Sequence, residues 1–239
     1  MLDSLKTWHD YFLRNRTNDG AINWDAPDRL AGEERARIAK SIAAFQLGEY
    51  SEGKGLMKAA TVFARRHDCP DLIAITKLFI GEEQRHAMLL KRFMDRHRIA
   101  PLKKNWADAV FRRLRKNVGF ELSVSVLITA EIVSLVYYEA LRRGTGSDLL
   151  KQICDKILAD EISHTEYESA LLNHLRERRP PIIRKLIVWL HEFLLVGTAG
   201  AVYLGHRRVL NRGVITSAAS SRPAGWNFQA ASRRPSKKC

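Results

Sequence analysis

Apolar residues recur at steps of three and four along most of the chain, and no stretch alternates with a period of two. That periodicity predicts helices throughout. Residues 1–16 set Leu2, Leu5, Trp8 and Phe12 among Asp3, Lys6, His9 and Asp10. They read as a short amphipathic helix rather than a secretory signal. After a loop rich in Asn, Asp, Gly and Pro (17–29), a helix is expected over about 33–67, with Ile38, Ile42, Phe45, Leu56, Ala60 and Phe63 on one stripe. Cys69-Pro70 stops it, because proline cannot continue a helix and restricts its predecessor. A second helix is expected over about 71–97, carrying Ile75, Phe79, Leu90 and Phe93, and ends before Pro101. A basic stretch, 103–116, reads as a short helix in a long connection. The third helix covers about 119–143, with Gly144 as its left-handed cap, and the fourth about 147–178. Short loop, long connection, short loop implies two antiparallel hairpins joined by a crossover, an all-α four-helix bundle. A fifth, apolar helix over 182–210 and a disordered tail from residue 211 complete the expectation. The chain thus divides at 1–30, 31–178, 179–210 and 211–239.

Carboxylates interrupt these stripes. From Leu122 to Tyr138 Glu131 is the single acidic or basic residue. A segment that apolar must be buried, and a buried carboxylate costs several kcal/mol unless it is paired, neutralised or bound to a metal. Two neighbouring helices offer partners. Glu83 and His86 lie in GEEQRHA, and Glu161 and His164 in DEISHTE. A spacing of three puts Glu and His on one face, roughly 4.5 Å apart along the axis, so both can reach one ion. Phe79, Glu83, His86 and Leu90 stay in register with their stripe, as do Cys154, Ile157, Glu161, His164 and Glu168. The first helix offers Glu49 and Glu52, both near its stripe. The separation Glu131 to Glu161 is 30 positions, Glu52 to Glu83 is 31 and Glu49 to Glu83 is 34, so hairpin symmetry favours Glu52. One Glu from each of two helices and one Glu-x-x-His from each of the others is the ligand set of dinuclear carboxylate bundles. Mixed oxygen and nitrogen ligands suit iron or manganese.

These segments resemble the ferritin-like di-iron superfamily, and rubrerythrin most of all. GEEQRHAMLLKRFM is similar to its second-helix motif, FQLGEYSEG to its first helix and DEISHTEYE to its fourth, over about residues 33–175. The resemblance implies a ferritin-like bundle holding two iron ions, with manganese or a mixed pair as variants, that reacts with dioxygen or peroxide. It implies bridging roles for Glu83 and Glu161, one histidine per metal from His86 and His164, and terminal roles for Glu131 and for Glu49 or Glu52. A Gly-Glu pair supplies the first carboxylate in that family, which favours Glu49. Ser134 stands where rubrerythrin has a further glutamate. No four-cysteine rubredoxin domain is present, so electrons would come from a separate donor. Tyr138, two turns from Glu131, is a candidate hydrogen-bond or redox partner, against a plain core role.

Composition then narrows the function classes. The chain has 239 residues, 40 basic against 26 acidic, for a net charge of +14. Residues 207–239 carry eight basic residues and no acidic one, leaving +6 for the other 206. The charge therefore argues for an anionic surface near the tail, not for specific nucleic-acid binding. Cys69, Cys154 and Cys239 are too scattered for a disulfide framework or a cysteine zinc site, which fits a cytoplasmic protein. The run 187–204 is apolar apart from His191 and Glu192, and that pair is costly inside a span. Contact of helix 182–210 with the inner face of a membrane is the milder expectation. The leading expectation is a dimetal oxidoreductase, as monomer or homodimer. Iron storage without an organic substrate and a metal-free helical interaction protein at a membrane are the alternatives.

Overall fold

A computed structural model describes residues 2–51, 53–104, 113, 119–177 and 179–219. Among the described residues all regular structure is helical. The helices are α1 (Leu2–Asn15), α2 (Gly32–Ser51), α3 (Gly53–His67), α4 (Asp71–Arg96), α5 (Phe120–Gly144), α6 (Asp148–Glu177) and α7 (Pro181–Ala219). α2 and α3 lie on either side of position 52 and together cover the first long helix expected. Most of the basic stretch 103–116 lies outside the described residues, as does the tail from 220.

The helix ends have local causes. Asp68 closes the turn before Pro70 with φ 49°, a left-handed conformation that a short polar side chain tolerates. Ser147 caps α6, its Oγ accepting from the Leu150 backbone N–H at 3.0 Å. Gly144 does not take the left-handed conformation expected of it. It stays helical and Thr145 leaves α5 in an extended conformation. The loop is held instead by Glu34 of α2, which accepts from Thr145 Oγ1 and from the Gly146 N–H. The close approach between the two helices is at Gly213 of α7, where a Cβ would sit 2.6 Å from the Ala140 backbone of α5. The segment from 211 to 219 is helical, which corrects the reading of disorder from residue 211. Arg212 and Gly213 lie against α5, so tertiary contact carries α7 onward where composition alone predicts none.

Two apolar clusters fill the interior. One gathers Phe12, Leu56, Leu72, Phe79, Leu127 and Leu171, and the other Ile42, Leu90, Phe93, Tyr138, Leu150 and Ile157. Their order along the chain gives each helix a direction. α4 and α5 run from the first cluster to the second, while α2–α3 and α6 run from the second to the first. The hairpin pairs α3–α4 and α5–α6 are therefore antiparallel, and α4 runs parallel to α5. The end of α4 and the start of α5 lie at opposite ends of this axis. Between the clusters every one of the four segments carries a charged residue: Glu49, Glu83, Glu131 and Glu161.

Candidate metal centre

Glu49, Glu83, His86, Glu131, Glu161 and His164 converge in that middle layer, each at most 7% exposed. They form two overlapping groups of ligand atoms, Glu49–Glu83–His86–Glu161 and Glu83–Glu131–Glu161–His164, each with all atoms within 4.8 Å of one another. Glu83 and Glu161 belong to both. His86 Nδ1 lies 3.8 Å from Glu83 Oε1, 3.4 Å from Glu161 Oε1 and 3.9 Å from Glu49 Oε2. His164 Nδ1 lies 2.9 Å from Glu83 Oε1 and 3.3 Å from Glu161 Oε2. Glu52 lies outside the described residues, and the carboxylate brought to the centre from α2 is Glu49. Ser134 turns its hydroxyl back on its own helix, donating to the Glu131 carbonyl at 3.0 Å.

The donor set suits a divalent cation. Glu83 Oε1, both Glu161 oxygens and Nδ1 of each histidine are buried without a well-formed hydrogen bond. Buried polar atoms are normally satisfied, so orphans pointing at one another form a group that could hold an ion. In the metal-free protein protons take that role. Burial pushes the Glu49 and Glu131 carboxyls well above their usual range, and the nearby charges of Glu83 and Glu161 push the same way. Burial works against the histidine cations, but contacts with Asp160 and Glu161 outweigh it for His86 and raise it to about 10. Contacts with Glu161, Glu82 and Glu83 likewise hold His164 well above its ordinary value against burial. Burial also opposes the Glu161 charge, yet Glu131 and both histidines keep it well below the carboxylate range.

Behind the histidines lies a layer that sequence reasoning missed. His86 Nε2 is 3.0 Å from Asp160 Oδ2, and His164 Nε2 is 2.9 Å from Glu82 Oε2. A carboxylate only accepts, so each ring carries its proton on Nε2 and, when neutral, turns the Nδ1 lone pair to the centre. The pairing is crossed: each carboxylate directly precedes the Glu-x-x-His of the opposite helix, as Glu82-Glu83 and Asp160-Glu161. That repeated acidic doublet was the available signal. A step of one turns the side chain about 100° off the ligand face, outside the stripe that marks the ligands. Asn15 of α1 joins the halves, its Nδ2 donating to Glu82 Oε1 and to Asp160 Oδ1 at 2.9 Å each. Lys156 Nζ pairs with Asp160 at 2.7 Å and Arg85 with Glu82 at 3.2 Å, so this layer balances its own charge. Burial raises Asp160, but the His86 contact and the Lys156 and Asn15 bonds prevail and bring it to about 2.

Replacing Asn15 with leucine is expected to weaken metal binding about 10- to 100-fold, the usual cost of losing an orienting partner behind a ligand. Competition against a chelator measures it. An unchanged affinity would show that the two histidines need no shared donor.

The remaining sequence candidates are placed as follows. Tyr138 donates to Glu49 Oε1 at 2.5 Å and is fully buried, so it supports a ligand as well as filling the core. Cys154 is a buried free thiol of the second cluster. Glu168 is buried beside the centre rather than exposed. His191 reaches Thr129 of α5 at 3.0 Å and holds α7 in place, while Glu192 faces outward. No family model, curated protein or solved structure matches this chain, so the centre is read from its own geometry.

Proposed function

We propose that the chain is a ferritin-like dimetal carboxylate oxidoreductase, with iron its metal and dioxygen or peroxide its oxidant. The observation that carries this reading is the pair of ligand groups sharing Glu83 and Glu161. Two shared carboxylates flanked by one Glu and one His on each side is a dinuclear pattern, and one ion would leave half the groups unused. The parallel run of α4 and α5 supports a crossover bundle of the ferritin type.

In this reading Glu83 and Glu161 would serve both ions, Glu49 and His86 would hold one, and Glu131 and His164 would hold the other. A bound iron pair supplies a Lewis acid and a reservoir of two electrons. The protein's own groups do the rest. Tyr138 steadies Glu49, and its hydroxyl is a proton donor at Glu49 Oε1. Glu82 and Asp160 fix the histidine rings. Apolar clusters on both sides keep bulk water away. Beside Glu168 and Phe79 lies a cavity of about 10 Å³, room for a molecule about the size of water. Iron sequestration without an organic substrate is the second reading.

Protein loaded anaerobically with ferrous iron is expected to hold about two ions per chain. Exposure to dioxygen or peroxide is expected to develop the near-ultraviolet absorption of a ferric pair. Less than one ion per chain, or no spectral change with either oxidant, would sink the proposal. Assembly size separates the two readings, since a large hollow oligomer belongs to storage.

A further inference from the structure

The outward face of α7 is apolar and uncovered. Ile182, Leu186, Trp189, Phe193, Val196 and Leu204 step along one side of the helix and are between 50% and 81% exposed. At 1.5 Å per residue they cover about 33 Å. The opposite side is engaged: His191 meets Thr129, and Thr198 and Val209 are buried. The window of α7 apolar enough to cross a membrane is only 6% buried, against 67% for that of α5. An apolar face this long is rare on a soluble monomer and marks an interaction surface.

Charge identifies the occupant. Lys185 borders the face at one end, with exposed Arg184 beside it in sequence, and exposed Arg207 and Arg208 follow the break in the helix at His206 at the other. Glu192 is the single acidic residue of α7. A second copy laid parallel would set Arg184 and Lys185 against their own equivalents. Laid antiparallel, it would set them against Arg207 and Arg208. Either arrangement brings cations together. An anionic lipid surface meets both basic ends favourably and accepts the apolar side chains between them. Trp189 and Tyr203, half or more exposed, suit the headgroup boundary. The geometry points to α7 as a surface anchor lying along an anionic bilayer, with its buried side still packed on α5. This inference stands apart from the metal centre.

Flotation of the full chain with vesicles tests it, comparing phosphatidylcholine alone with phosphatidylcholine containing phosphatidylglycerol. Strong binding is expected only with the anionic lipid. Arg184→Glu with Lys185→Glu is expected to weaken that binding about tenfold or more. Trp189→Glu with Phe193→Glu should do the same by removing the apolar contact. Both pairs are exposed, so far-ultraviolet helicity and metal content should stay at the parent's values. Binding indifferent to both double variants overturns the proposal, as does a chain that stays out of both vesicle types. So does a dimer that forms without lipid and is lost with Trp189→Glu.

Discussion

Glu161→Ala is expected to lower metal content from about two ions per chain to below about one half, a loss that only Glu83→Ala should match. Glu161 belongs to both ligand groups, so its removal takes a ligand from each half at once. Glu49→Ala and Glu131→Ala each strip one half only and should leave about one ion. This ranking separates a shared centre from two independent sites, since independent sites would lose one ion in all three variants. The metal-free variant should also be less stable by ~3–5 kcal/mol, because two buried histidines lose the carboxylate they face. Element analysis and denaturant unfolding read the two effects separately. Two retained ions in Glu161→Ala would mean that the carboxylate does not bridge.

Metal loading is expected to release protons at neutral pH, up to about four per chain. Glu49, Glu131, His86 and His164 all bind protons more tightly than usual in the metal-free fold. Four protons and two divalent ions carry the same charge, so one set replaces the other without changing the charge of the buried layer. The overall loading constant should then rise with pH through neutrality. Folding follows the opposite sign. A group raised in the fold stabilises it fully below its unfolded value, near 4.5 for the glutamates and 6.5 for the histidines. That contribution fades as pH climbs toward the folded value, about 10 for His86. Metal-free protein should thus weaken from about pH 6 to pH 8 while loaded protein gains, and the gap between their melting temperatures should widen. Proton release follows from metal titration in buffers of different ionisation enthalpy. A value near zero would place the protons elsewhere.

The central residues could be read in the sequence because burial makes charge conspicuous. Glu131 stands out in an apolar run, and the two Glu-x-x-His pairs keep helical register with their stripes. The layer behind them was not legible. Glu82 and Asp160 lie off the ligand face and look like surface acids until a partner helix covers them. Asn15 sits in α1, which patterning marks only as amphipathic, and nothing local says what its polar side meets. That Glu49 reaches the centre depends on which side of α2 faces the core, which hairpin symmetry alone does not report. The extension of α7 past residue 211 rests on contact with α5, where Gly213 admits the Ala140 backbone.

The Asn15 clamp also bears on when the centre can form. Its bond to Glu82 spans 67 residues and its bond to Asp160 spans 145. Neither bond can form before the helix that carries its partner has docked beside α1. As the chain leaves the ribosome, Asn15 emerges early and must wait for α6 before its second partner exists. The histidines therefore receive their final orientation only after the last ligand helix has docked. An ion met earlier finds half a site, without the carboxylates that aim the rings. Capture is thereby deferred to the finished fold, and in refolding experiments metal uptake should track the slowest phase rather than the initial collapse.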